Sequence, residues 1–163
     1  MLQRRAVSVA ILFGVFAFIL FSTHFKLISL PFFWDEAGQF ISQAQDLYQG
    51  GALIPKSAMP NSHPPGLPLL LAGVWKVFGY SIPITRSLML LFGAAFLTVS
   101  FLLAVELLKG ARGVPAFAVA ALLLANPLVY TQSMMAQLDL PSALFRTILL
   151  LSYLMKLEMV AVA

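Results

Sequence analysis

The sequence predicts an all-α integral membrane protein with about four membrane-spanning helices. Three observations lead there: the composition, the placing of four apolar stretches, and the side on which basic residues gather. Hydrophobic residues fill 61% of the 163 positions and charged residues only 10%, against roughly 45–50% and 25% in soluble domains. A soluble domain of this length has no interior for so much apolar surface, whereas a bilayer is itself an apolar solvent.

A span needs about 20 mainly apolar residues to cross about 30 Å of hydrocarbon. The first such stretch is 6–28, with His24 and Lys26 near enough to its outer end to reach the lipid headgroups. The basic start, Met1 to Arg5, resembles the head of a secretory signal, and Arg4-Arg5 suggests a twin-arginine signal whose surroundings fit poorly. No small-x-small cleavage pattern follows and three more apolar stretches do, so 6–28 reads as an uncleaved span. The second span is 87–108, between Arg86 and Lys109. The third, 114–130, opens with Pro115 in its first turn and is interrupted by Asn126-Pro127. The fourth is 141–155, followed by Lys156.

Short segments rich in Lys and Arg stay on the cytoplasmic side. Arg4 and Arg5 precede the first span, Lys109 and Arg112 occupy the 109–113 turn, and Lys156 follows the fourth. Four spans put all of these on one face. That places the chain in the plasma (inner) membrane with a cytoplasmic N-terminus, and it brings segments 29–85 and 131–140 together outside. Residues 67–78 tempt a fifth span, but they are few, contain Pro68 and Lys76, and would break the charge bias. They are predicted to lie at the interface, with Trp75 and Phe78 at headgroup depth. Between Trp34 and Tyr48, apolar Phe40, Ile41, Ala44, Leu47 and Tyr48 recur at helical spacing. Asp35, Gln39, Ser42, Gln43 and Asp46 fall largely opposite them, and Gly50-Gly51 ends the pattern. The outer segment thus holds one or two amphipathic juxtamembrane helices, joined by a rigid polar loop over 59–66.

Composition also excludes some functions. A net charge of +4 records topology in such a chain, and no basic run with interleaved aromatics points to nucleic acid. Cysteine is absent, which removes disulfides and thiolate metal sites.

Few residues are left for chemistry. Asp35 and Glu36 adjoin where the first span leaves the membrane. Such a pair complements a helix dipole and caps free N–H groups. At the membrane surface it also suits a general base acting on a hydroxyl or amine, or a ligand for a divalent cation. In a helix only one of the two faces a cleft, and Asp35, ahead of the helix proper, is the one predicted to. His63 precedes Pro64-Pro65, which hold the backbone extended and aim the imidazole. That suits a metal ligand or a phosphate contact, although a solitary His is more often plain surface. Asp139 lies between two spans, near a depth where a central Asp costs about 2.5–3.5 kcal/mol and polar residues are functional by default. Its other reading is the cap of the fourth helix, with Pro141 in the first turn. Arg146, two turns on, either pairs with Asp139 or meets a ligand. Arg86 reads first as an interfacial anchor.

Taken in order, these features resemble a known family. The first span, Phe33-Trp34-Asp35-Glu36, an amphipathic helix, Ser62-His63-Pro64-Pro65-Gly66-Leu67-Pro68-Leu69-Leu70-Leu71, Trp75-Lys76-Val77-Phe78-Gly79, Arg86 and Leu138-Asp139 follow one another along the chain. The series looks like the N-terminal part of the dolichyl-phosphate-mannose protein mannosyltransferase superfamily. That group includes aminoarabinose transferases acting on lipid A and related sugar transferases of lipopolysaccharide. The resemblance covers most of the chain. It implies a GT-C fold glycosyltransferase using a polyprenyl-phosphate sugar donor and a lipid, glycan or protein acceptor among the membrane lipids of the outer face.

Carried across, Asp35 falls on the catalytic aspartate of the first outer loop, with Glu36 as its companion, and Asp139 on the acidic residue of the second. His63 falls where a polar residue approaches metal or donor phosphate, so a divalent metal is the one cofactor implied. The aminoarabinose transferases carry acidic-basic-proline there, and His-Pro-Pro points to the broader bacterial group. Arg86 and Arg146 are assigned to the donor phosphate. Family members run to several hundred residues. These 163 residues are therefore expected to be an N-terminal part, a truncated product or one half of a split enzyme with a C-terminal partner chain, inactive alone. Two other classes are carried along. One is a small transporter or channel subunit using Asp139 and Arg146, for which the sequence shows no inverted repeat. The other is a non-catalytic membrane assembly protein, in which conservative changes at Asp35, His63 and Asp139 are silent.

Overall fold

The computed structural model describes the backbone of residues 2–51, 54–57, 63–109 and 115–161, and the side chains among these from 6 to 156. Arg112, Val114 and residues 59–62 lie outside the described residues, as do the side chains of Arg4 and Arg5. The architecture is all-helical. In order come α1 (Leu2–His24), a π-helical segment (Glu36–Ile41) running into α2 (Ser42–Gly50), α3 (Gly66–Phe78), α4 (Ile82–Leu107), α5 (Ala116–Ala125), α6 (Pro127–Gln132) and α7 (Asp139–Ala161).

Among the described residues, two helices are long and apolar enough to cross a membrane: Ala6–His24, with 19 residues, and Ile82–Leu107, with 26. At 1.5 Å per residue they extend about 28 and 39 Å. The predicted third span is two helices. Pro127 has no N–H to continue α5, and Asn126 turns extended there. Its Oδ1 accepts from the N–H groups of Leu128 (2.9 Å) and Val129 (3.4 Å), which starts α6 afresh. The fourth helix begins at Asp139, two residues before the predicted start.

The second predicted span begins five residues early, and the reason is local. Ser81 is extended and its Oγ accepts from the N–H of Ile84 at 3.3 Å, while Pro83 occupies the first turn. This early start draws Arg86 into the body of α4. Helix α4 is also the centre of the bundle, packing against α1, α5 and α7. Phe16 and Leu20 of α1 meet Leu90, Ala94 and Leu97 of α4 and Ala120 of α5. Gly93 leaves room for close packing: a Cβ there would lie 3.0 Å from Leu20 Cδ1 and from Ser133 Oγ.

A second core lies where α1 ends and α4 begins. Phe40, Ile41 and Ala44 pack with Leu67, Leu71 and Trp75 of α3, Met89 of α4 and Ala136. Pro68 does not interrupt α3, because it sits in the first turn, where no N–H partner is needed. Two side chains expected at the membrane interface are covered by protein here. Trp75 is fully buried, and its Nε1 donates to Thr85 Oγ1 at 2.9 Å. His24 is buried as well, held between backbone carbonyls of α1 and α6. The outside of the bundle is apolar: Phe18, Leu122 and Leu149 are each more than 70% exposed.

Candidate functional site

The chain leaves α1 through turns at residues 25–30 and re-enters helix at Trp34. Asp35 already has helical dihedrals (φ −64°, ψ −43°). Consecutive helical residues point about 100° apart, so Asp35 and Glu36 face different surroundings. Asp35 is half-buried and looks outward, and Glu36 is fully buried.

Asp35 lines a cleft of about 260 Å³ together with Gln39, Phe40, His63, Gln137, Leu138 and Asp139. Gln39 and Phe40 follow Asp35 at helical spacing and share its face. His63 enters from the loop before α3, its ring 5.5 Å from that of Phe40 at an interplanar angle of 29°. Leu138 and Asp139 form the opposite wall. Asp139 stands in the first turn of α7, where a carboxylate complements the helix dipole, so capping and lining the cleft are compatible roles. Three residues singled out from sequence, Asp35, His63 and Asp139, are thus brought together from segments far apart in the chain.

Glu36, Arg86 and Arg146 do not line this cleft. Glu36 Oε1 accepts from Arg86 Nη1 at 2.5 Å and from the Ala136 N–H at 2.6 Å. Its Oε2 accepts from Arg86 Nη2 at 3.0 Å and from the Phe33 N–H at 2.8 Å. Arg86 in turn donates from Nη1 to the Met134 carbonyl (2.7 Å) and from Nη2 to the Pro31 carbonyl (3.1 Å). Its guanidinium also sits 5.1 Å from the Phe32 ring centroid. Arg86 is 1% exposed, so it is neither an interfacial anchor nor open to a phosphate. Both carboxylate oxygens and both Nη atoms of the bidentate pair are engaged, and the Arg86 Nε, which has no partner, is buried with them and out of reach of a ligand. Arg146 is exposed along α7, away from the cleft lining.

Sequence reasoning missed Gln39 and Gln137 as lining residues, and it missed the Glu36–Arg86 pair. The pair had a signal. Glu36 shares a helical stripe with Phe40 and Ile41, and a charge on a buried stripe requires a partner.

The carboxylate and imidazole donors of the cleft are of types that ligate divalent cations. Among the described residues, however, no three such side chains converge closely enough to hold a metal by themselves. Among the described residues the side chains as placed do not by themselves complete a metal site. Asp46 lies elsewhere, anchoring the loop after α2. Its Oδ2 accepts from the N–H groups of Lys56 (2.6 Å) and Ser57 (2.9 Å). The bonds from the Ser57 and Lys56 backbones hold its carboxyl below the usual carboxylate range.

Compared with protein families, with curated proteins and with solved structures, the chain matches none.

Proposed function

We propose that this chain is the membrane-embedded, catalytic-loop portion of a glycosyltransferase that moves a sugar from a polyprenyl-phosphate donor to a lipid, glycan or protein acceptor at the outer membrane surface. The observation that carries this reading is the cleft itself. Asp35, His63 and Asp139, contributed by three separate segments, line one cavity at the end of the bundle where α1 finishes and α4 and α7 start. The apolar exterior and the lengths of α1 and α4 support a bilayer setting with four spans, α5 and α6 together serving as the third. In that setting the cleft lies at headgroup depth, where a lipid-linked sugar presents its anomeric carbon.

Asp35 is the base. Its carboxylate takes the proton from the acceptor hydroxyl as that oxygen bonds to the anomeric carbon, and the bond to the phosphate oxygen breaks with its electron pair leaving on the polyprenyl phosphate. One base suffices for such an inverting displacement, with no covalent enzyme intermediate. Gln39, Gln137 and His63 are placed to hydrogen-bond sugar hydroxyls, and Phe40 gives an apolar floor. Asp139 orients the acceptor from the opposite wall. Among the described residues no Lys or Arg lines the cleft, so this cavity takes the sugar and its acceptor, and the donor phosphate lies outside it.

The test uses membranes from cells expressing the gene and a radiolabelled polyprenyl-phosphate sugar. Transfer of label into acceptor is expected to stop on Asp35→Asn and to fall on Asp139→Asn, at equal protein in the membrane. Full transfer by Asp35→Asn overturns the assignment of the base.

A further inference from the structure

We infer that the buried Glu36–Arg86 pair is the positioning device of the cleft: it fixes the spacing and register between the wall that carries Asp35 and the wall that carries Asp139. This holds whatever chemistry the cleft performs, since it concerns the shape of the cavity and not turnover.

The two walls come from segments about a hundred residues apart, 31–40 and 134–139. Each member of the pair grips both. Through its carboxylate Glu36 holds the N–H of Phe33 on its own wall and that of Ala136 on the other. Arg86 holds the carbonyl of Pro31 on the first wall and that of Met134 on the second. The cleft residues follow directly: Asp35 adjoins Glu36, Gln137 adjoins Ala136, and Asp139 is three residues beyond Ala136. Arg86 belongs to α4, the helix against which α1, α5 and α7 all pack, so both walls are referred to the centre of the bundle. The apolar contacts of Phe40, Met89 and Ala136 bring the walls together but are non-directional. Hydrogen bonds to four backbone groups are directional and set the register.

The pattern differs from a simple ion pair, in which exchanging the two charges preserves the attraction. Here the carboxylate must accept from two backbone N–H groups and the guanidinium must donate to two carbonyls. An exchanged pair faces donors with a donor and acceptors with an acceptor.

The chain contains no cysteine, so cysteines introduced at the exposed Ala37 and the half-buried Met135, one in each wall, would be the only ones to take nitroxide labels. Pulsed dipolar spectroscopy on the full chain in nanodiscs is expected to give one narrow distance peak. Arg86→Met is expected to lose that peak to a broad or shifted distribution. Combining Glu36→Arg with Arg86→Glu is expected not to restore it. Arg86→Lys keeps the charge but not the fork and should fall between. An unchanged peak in a folded Arg86→Met protein, with only its thermal stability lowered, shows a merely structural pair and overturns the inference, as does recovery of the peak on charge exchange. Should Arg86→Met fail to fold, Arg86→Lys decides alone: a peak as narrow as the parent's overturns the inference, and a broadened one supports it. Transfer assays on the same membranes report separately on the proposed activity, so either idea can fail without the other.

Discussion

The His24 imidazole lies face to face with the Tyr130 ring, centroids 4.0 Å apart and planes 24° from parallel. Its Nε2 is 2.9 Å from the Tyr130 carbonyl and its Nδ1 is 2.8 Å from the Leu20 carbonyl. The Tyr130 hydroxyl returns a bond to the Thr23 carbonyl at 3.0 Å. The last turn of α1 is thereby fastened to α6, the short helix that the Asn126-Pro127 break creates.

His24→Leu keeps the volume but leaves the part-buried Tyr130 carbonyl without its imidazole partner. The expected cost is about 1–3 kcal/mol of stability. Tyr130→Phe removes only an exposed bond and is expected to stay within about 1 kcal/mol. Chemical unfolding in detergent micelles compares the two, and equal losses would show that His24 contributes no more than its ring volume.

Gly93 yields a second expectation. A methyl group there already meets Leu20 Cδ1 and Ser133 Oγ at 3.0 Å and Ser133 Cβ at 3.1 Å. Leu20 can rotate away, but Ser133 is fixed by its own bond to the Val129 carbonyl at 2.7 Å. Gly93→Ala regains about 1 kcal/mol of helix propensity, which offsets part of the strain. Gly93→Val adds branched bulk without that gain and is expected to lose about 1–3 kcal/mol through overpacking. A Val variant as stable as the parent would mean that α1 and α4 are not held this close.

Asp46 makes one region sensitive to acid. Its carboxyl is depressed below the ordinary value of 3.8 by the Ser57 and Lys56 N–H groups. A depressed carboxylate adds stability that is present above the unfolded value and is lost as pH falls through the folded one. Amide exchange at Lys56 and Ser57 is therefore expected to lose protection, relative to its neighbours, as pH drops below about 3.8. Asp46→Asn should show no such acid-dependent step, and a step of the same size in that variant would remove Asp46 from the explanation.

Much of this was legible in the sequence, and where it was not the reason is physical. The helical class, and the two helices long and apolar enough to cross a membrane, follow from composition and run length. That Asp35, His63 and Asp139 line one cavity agrees with the expectation that segments 29–85 and 131–140 share a face, which rested on where the basic residues gather. The burial of Arg86 and Trp75 is not legible because an exposed interfacial side chain and a buried hydrogen-bonded one look alike in a window of neighbours. The Ser81 cap moved the start of α4 by five residues, and the buried partners lie 50 positions away at Glu36 and 10 away at Thr85. Gln39 and Gln137 were passed over because an uncharged amide gives no sign of its role until the opposite wall is in place.

The two adjacent carboxylates at the heart of the site can be told apart by their costs. Asp35 faces an open cleft, so Asp35→Asn leaves no buried group unpaired and is expected to change stability by no more than about 0.5 kcal/mol. Glu36 neutralises a guanidinium buried with it, and Glu36→Gln turns an amide N–H₂ towards Arg86 while removing the charge. Breaking one side of a buried pair costs about 3–5 kcal/mol, because the remaining charge is left without compensation. The expected signature is a crossing of effects: Asn at 35 abolishes transfer in a protein of normal stability, while Gln at 36 lowers the unfolding midpoint first and transfer only through it. Thermal unfolding of the two variants in the same detergent reads this directly. If Asp35→Asn is the destabilising change and Glu36→Gln the silent one, the inward and outward roles of the pair are reversed, and the base must be sought at Glu36.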